Sequence, residues 1–154
     1  VEQLNGRHPQ GSLIQHIARM ILGAGLVFAG TAHVSFARAE FQAQVPSWVP
    51  LDVDVVVVAS GIVEIVLGAT LVVLPRFRVP LGWIAAAFFL AVFPGNISQF
   101  MTGTDAFGLT SDTARGVRLV FQPLLMLWAL WSCGSLGALR ARREQTVHAS
   151  SEAP

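Results

Sequence analysis

The chain has no lysine, no tyrosine, a single cysteine (Cys133), and only 12% charged residues. Each shortage excludes something. One thiol cannot make an internal disulfide or a cysteine metal cluster. A net charge of +1, with no basic stripe interleaved by aromatics, offers nothing to a phosphate backbone, so no nucleic-acid partner is expected. Walker, dinucleotide, HExxH and Cys-x-x-Cys-His motifs are all missing, so no covalently bound cofactor is expected. Soluble domains carry about a quarter charged residues. Here 53% of the chain is apolar instead, which points to a membrane.

What is present is four long apolar runs, at roughly 17–37, 53–74, 81–100 and 119–139. About 20 residues rising 1.5 Å each cover a hydrocarbon core of about 30 Å. Backbone groups in lipid must be satisfied within the segment, so each run is expected to be a helix. The expected fold is all-α, an integral membrane four-helix bundle with up-down-up-down topology, in one domain over residues 1–139. Residues 140–154, polar and unpatterned, are expected to form a disordered cytoplasmic tail.

Arginine placement gives the orientation. Arg7, Arg19, Arg76, Arg78, Arg140, Arg142 and Arg143 fall on one side of the runs. Arg38, Arg115 and Arg118 share the other side with Glu40, Asp52, Asp54, Asp105 and Asp112. The positive-inside rule then places both termini in the cytoplasm. A cleavable signal is the rival reading of the first run, but its long polar start and His33, Ser35 and Arg38 at the cleavage region favour a retained helix. Pro75 and Pro80 bracket a tight inner turn. Residues 44–51 suit a non-helical outer segment with Trp48 at headgroup level, and 103–116 reads as an exposed polar loop.

Glu64 is the carboxylate at the middle of an apolar run. An ionisable group at that depth must be neutralised, paired or hydrated, which makes it a candidate functional residue. Polar and small residues at helical spacing suggest what faces it: Gly25, Ala29 and His33 on the first run, and Ser60, Glu64 and Gly68 on the second. Asn96 lies just after a kinking Pro94 on the third, and Arg118, Gln122, Met126, Ala129 and Cys133 share a stripe on the fourth. Counted from the outer boundary, His33, Asn96 and Gln122 lie about 6 Å deep, Ser60 about 10 Å and Glu64 about 16 Å. An outward-opening cavity floored by Glu64 accommodates them all. Glu64 is expected to be protonated at rest and hydrogen-bonded toward Ser60 or Asn96, with water bridging any link to His33.

Each polar residue also has a plain structural reading. Asn96 and Gln122 can simply tie helices together, Ser60 can bond its own backbone, and His33 can be a satisfied interface histidine. His33 with Glu64 supplies at most two metal ligands, so no metal is expected. His16 lies about 25 Å from His33 along one helix, too far for both to grip one haem. The chain alone lacks the parts of a self-contained redox enzyme.

Gly30-Thr-Ala-His33, Val45-Pro-Ser-Trp-Val-Pro50, Ser60-Gly-Ile-Val-Glu64 and Val92-Phe-Pro-Gly-Asn-Ile97, followed by Arg118-Leu-Val-Phe-Gln122, resemble the DoxX-like family of small bacterial membrane proteins. The resemblance runs from about Gly25 to Trp131 and departs at Val34, Gly95 and Val120. It implies a four-helix bundle in the bacterial cytoplasmic (inner) membrane and association with quinone-linked redox assemblies. Three readings follow. The first is an accessory subunit binding a quinone or similar amphipathic molecule, with Glu64 and His33 exchanging protons and Ser60, Asn96, Arg118, Gln122 and Trp48 binding the ligand. A redox-enzyme partner subunit, membrane lipids and a homo-oligomer are its expected partners. The second is a lipid or small-solute binding or transport protein, and the third a structural assembly factor.

Overall fold

The computed structural model describes residues 11–106, 108 and 111–151. Arg7, counted above among the cytoplasmic charges, lies outside the described residues, as do 107, 109 and 110 of the polar connection and 152–154 of the tail. The described chain is all-helical: α1 (Leu13–Val34), α2 (Arg38–Gln42), α3 (Val53–Val73), α4 (Arg78–Thr102), α5 (Asp112–Ser132) and α6 (Ser135–Ser151). A 3-10 turn, Pro75–Phe77, joins α3 to α4. Three segments are long and apolar enough to cross a membrane: α1, α3, and α4 with its preceding turn. A fourth exists only if α5 and α6, bent by 64° at their junction, count as one.

Local chemistry sets these ends. Ser12 and Gln15 form a reciprocal capping box that starts α1 four residues before the apolar run suggests. Asp52 accepts from the backbone of Asp54 and Val55 at the start of α3. α4 stops at Gly103, whose φ of +65° is the left-handed conformation of a helix C-terminus.

Three expectations are corrected. The 103–116 connection is not loop throughout, because Ser111 caps α5 through Ala114 N (3.2 Å) and places Asp112 in its first turn. The run at 119–139 is not one straight span, because Gly134 has φ +74° and breaks it. The tail is helical through Ser151. Its Leu, Ala, Arg, Glu and Gln residues are strong helix formers even without an apolar stripe.

Buried residues on the long helices recur mostly at steps of three, four or seven. They are Arg19, Leu22, Gly23, Leu26, Gly30 and His33 on α1, and Val57, Gly61, Glu64, Gly68 and Leu71 on α3. On α4 and α5 they are Gly82, Ala85, Phe89, Asn96 and Gln99, then Arg115, Gln122, Ala129 and Ser132. Such heptad spacing keeps one seam facing a neighbour over several turns. The expected face at Gly25, Ala29 and His33 is corrected accordingly. Steps of four drift by about 40° each, so eight residues leave the seam by about 80°. Gly25 has nothing within 4 Å of a Cβ, whereas Gly23 and Gly30 lie on the seam.

α1 packs along α3, and α4 along α5; α1–α5 and α3–α4 contacts join the two pairs. Leu22, Leu26, Leu67, Leu71, Ala85, Phe89, Ala129 and Cys133 form the core. The polarity is otherwise inverted relative to a soluble domain. Arg19, His33, Glu64, Asn96, Gln99 and Gln122 are buried, while Phe28, Val66, Leu90 and Val120 are exposed. An apolar exterior around a polar interior is what a lipid solvent selects.

Candidate functional site

Two glycine contacts set the register of α1 against α3. A Cβ on Gly30 would lie 2.5 Å from the Gly61 carbonyl oxygen, and one on Gly68 would lie 2.5 Å from that of Gly23. With backbones touching there, His33 and Glu64 each sit one turn beyond their contact glycine, Gly30 and Gly61. Side chains lean toward the N-terminus of their own helix. In this antiparallel pair that tilts His33 and Glu64 toward each other. The water-bridged gap expected between them is closed: His33 Nδ1 lies 3.0 Å from Glu64 Oε2. Depth counting missed the contact because it assumed the runs begin level, and the glycines decide otherwise.

The contact is close without being a well-directed hydrogen bond. His33 Nδ1 also lies 2.9 Å from the Ala29 carbonyl, in good alignment to donate to it. Glu64 Oε2 is buried and has no hydrogen-bond partner. Both side chains are about nine-tenths shielded. The imidazole is also covered on one face: the Phe41 ring of α2 stacks on it with centroids 3.3 Å apart and planes 19° from parallel. Phe41 was not anticipated. Its signal in the sequence is faint, an aromatic eight residues after the histidine in a segment with no apolar run. α2 is anchored over α3 by Arg38, which donates to both Asp54 carboxylate oxygens, and by Gln42, 2.8 Å from Asp54 Oδ1. The Asp54 hydrogen bonds outweigh desolvation and hold the Arg38 pKa above its ordinary value.

The remaining candidates divide. Glu64 does not bond toward Ser60 or Asn96 as expected. Ser60 Oγ donates to its own helix at the Val57 carbonyl (2.9 Å). Asn96 Nδ2 donates to Gln122 Oε1 (3.0 Å), and Gln122 Nε2 donates to the Phe89 carbonyl (2.7 Å). Phe89 lies five residues before Pro94, whose ring removes the backbone donor to the neighbouring Leu90 carbonyl. Gln122→Leu is expected to lower stability by about 1–2 kcal/mol, since it strands the buried Asn96 donor and removes the second hydrogen bond to the Phe89 carbonyl. Detergent-phase unfolding measures this, and an unchanged midpoint means water already serves both groups.

Arg118 Nη2 donates to Gln44 Oε1 (2.9 Å), and Gln44 Nε2 reaches Gln99 Oε1 (3.3 Å). Gln99 in turn donates to the Thr104 carbonyl (3.3 Å). This chain, with Gln44 and Gln99 unforeseen, ties the 43–52 segment to α4 and α5. Gly95 admits the segment, because a Cβ there would lie 3.1 Å from the Gln44 carbonyl. Trp48 is 70% exposed on the same segment. Among the described residues, no hydrogen bond or ion pair joins the His33–Glu64 pair to the Asn96–Gln122 pair.

A family defined as a domain of unknown function, DUF8561, matches residues 22–133. The chain belongs to the DUF8561 family. No curated protein and no solved structure matches it. The DUF8561 segment opens at Leu22, the first core leucine of α1, and closes at Cys133, just before the elbow glycine. It therefore contains both polar pairs and the α2 cap, and leaves α6 outside. What the DUF8561 fold does at this place follows from the geometry alone. A shielded carboxylate oxygen lacking a donor, touching an imidazole, can accept a hydrogen bond from a ligand or pass a proton to the ring.

Proposed function

We propose that this protein is a multi-pass protein of the bacterial cytoplasmic membrane, a DoxX-like four-helix bundle with both termini in the cytoplasm. In this reading it binds a quinone or a similar amphipathic molecule beside Glu64. The observation that carries the proposal is the buried Glu64 oxygen left without a donor, 3.0 Å from His33. A quinol hydroxyl supplies the missing hydrogen bond, and its apolar tail suits the exposed aliphatic surface. Glu64 and His33 exchange the proton, while a partner subunit carries the electrons. In this reading Arg118, bonded to Gln44, and the exposed Trp48 of the same segment are the further ligand contacts. The protein is then an accessory subunit and not a catalyst by itself.

The test is binding. Protein purified in mild detergent is expected to release quinone into an organic extract, detected by mass spectrometry. Added ubiquinone or menaquinone is expected to raise the thermal midpoint of the wild type and not that of Glu64→Gln. Empty extracts together with an unmoved midpoint refute the quinone reading. Flux of a solute in proteoliposomes, abolished by Glu64→Gln, would favour transport instead. The self-satisfied Asn96–Gln122 pair favours a structural role for those two residues, whatever occupies Glu64.

A further inference from the structure

Glu64 Oε2, the acceptor in the proposed function, is buried. A ligand reaches it only after part of the protein moves. The α1–α3 seam is a poor place to open, because the two backbones touch at Gly30 and Gly61. α2 is a better one. It packs on α1 and α3, none of its residues is buried, and no side chain caps its N-terminus. The Arg38 and Asp54 side chains that tie it to α3 are 41% and 44% exposed, and ion pairs open to water hold weakly.

The chain on either side of α2 is tied down. The Ser35 and Ala37 N–H groups both donate to the Ala32 carbonyl (3.3 and 3.1 Å), which closes the end of α1. Gln44 accepts from Arg118 (2.9 Å) and donates to Gln99 (3.3 Å). Residues 38–43 therefore form a strap between two anchored ends, with Phe41 laid on His33. Phe41 supplies a planar ring against the imidazole, yet nothing donates to the neighbouring Glu64 Oε2. A ligand carrying both a planar ring and a hydroxyl supplies what Phe41 supplies and what it lacks.

We propose that residues 38–43 are a lid over the His33–Glu64 pair, and that Phe41 holds the place of a ligand's ring until a hydroxylated aromatic ring displaces it. The ligand half rests on the quinone reading and narrows it: the ring lies on His33 and its hydroxyl reaches Oε2. The lid half rests on the geometry of α2 alone. Opening is local, since the anchors at Ala32 and Gln44 stay in place, and a local opening needs less free energy than unfolding.

Dicyclohexylcarbodiimide, an apolar reagent that attacks carboxyl groups, reads the lid without any ligand. The full chain in mild detergent is labelled over time, and Glu64 is followed by peptide mass spectrometry with Glu64→Gln as the blank. Phe41→Ala is expected to speed labelling about tenfold and Arg38→Ala about threefold, while Phe41→Trp stays as slow as wild type. Asp112→Asn, which removes an exposed ion-pair partner of Arg115 on α5, is expected to change nothing. Thermal midpoints confirm that each variant is folded, and half-exposed Arg38 keeps the test open if Phe41→Ala is not. Unchanged labelling in both lid variants, or equal acceleration by Asp112→Asn, overturns the lid. The ligand half is read in the same assay. Tetramethylhydroquinone is expected to protect Glu64 at least threefold, and tetramethylbenzene, the same ring without hydroxyls, is not. Protection by both or by neither, with the lid variants behaving as expected, overturns the ligand assignment and the quinone reading while the lid stands. Protection by the hydroquinone alone, with lid variants no faster than wild type, supports the quinone reading and overturns the lid.

Discussion

Gly30→Leu is expected to cost about 3 kcal/mol or more and to separate α1 from α3. Overpacking of a core ordinarily costs about 1–3 kcal/mol, because neighbouring side chains can shift. At Gly30 the first obstacle is backbone: a Cβ would meet the Gly61 carbonyl at 2.5 Å, with Ile65 Cγ1 at 2.8 Å and Glu64 Cβ at 2.9 Å. A carbonyl inside a helix cannot move without moving the helix. The same substitution at Gly25, where nothing lies within 4 Å, is expected to stay within about 0.5 kcal/mol of wild type. Reversible unfolding in detergent micelles compares the two. Gly30→Leu is also expected to abolish any quinone-induced rise in the thermal midpoint, because the glycine contact is what brings His33 to Glu64. Equal midpoints for the two leucine variants would show that the helices do not touch where the structure places them.

The sequence made the helices legible because an apolar run long enough to cross a bilayer has few other ways to satisfy its backbone. It made the polar positions legible for a related reason, since His33, Glu64, Asn96 and Gln122 are conspicuous against Val, Leu and Phe. All four are buried. What was not legible is which of them meet. Pairing depends on the axial register of neighbouring helices, and here the register comes from Gly23 with Gly68 and Gly30 with Gly61. Glycines are common in membrane helices, and nothing in their spacing along one helix says which glycine of the next they will face. The expected face holds Gly25, whereas the contact is made by Gly23, two residues earlier. The period of the seam, nearer 3.5 than 4, separates them.

Helix boundaries failed for a different reason. Hydropathy reports where apolar side chains stop, whereas capping reports where the backbone stops. Ser12, Ser111 and Gly134 set the ends of α1 and α5 through local hydrogen bonds and a positive φ, independently of any apolar pattern. Phe41 was invisible because α2 is too short to show periodicity, and its stacking on His33 is a tertiary event. Gln44 is hidden in the same way. It looks like loop polarity in the sequence and proves to link Arg118 with Gln99.

His33→Leu is expected to cost about 3 kcal/mol, Glu64→Leu less than about 1 kcal/mol, and the double variant less than His33→Leu alone. The asymmetry follows from the partners each residue keeps. Without Glu64, His33 Nδ1 still has the Ala29 carbonyl at 2.9 Å and the Phe41 ring on its face. Removing the carboxylate also removes a buried oxygen that has no donor. Replacing an unsatisfied polar group by an apolar one of similar shape can be nearly neutral or stabilising. Without His33, Glu64 Oε2 is left buried with no polar neighbour, and an unpartnered buried polar group costs about 1–3 kcal/mol, more where it carries charge. Deleting both members relieves that penalty, so the second substitution should rescue the first. A double-mutant cycle by unfolding in detergent measures the coupling. Ligand binding separates from stability in the same set: Glu64→Leu, though folded, is expected to lose the quinone-dependent rise in midpoint entirely. Should Glu64→Leu prove as costly as His33→Leu, the carboxylate would be holding the imidazole in place, and the proposed role of Oε2 as the acceptor open to a ligand would fall.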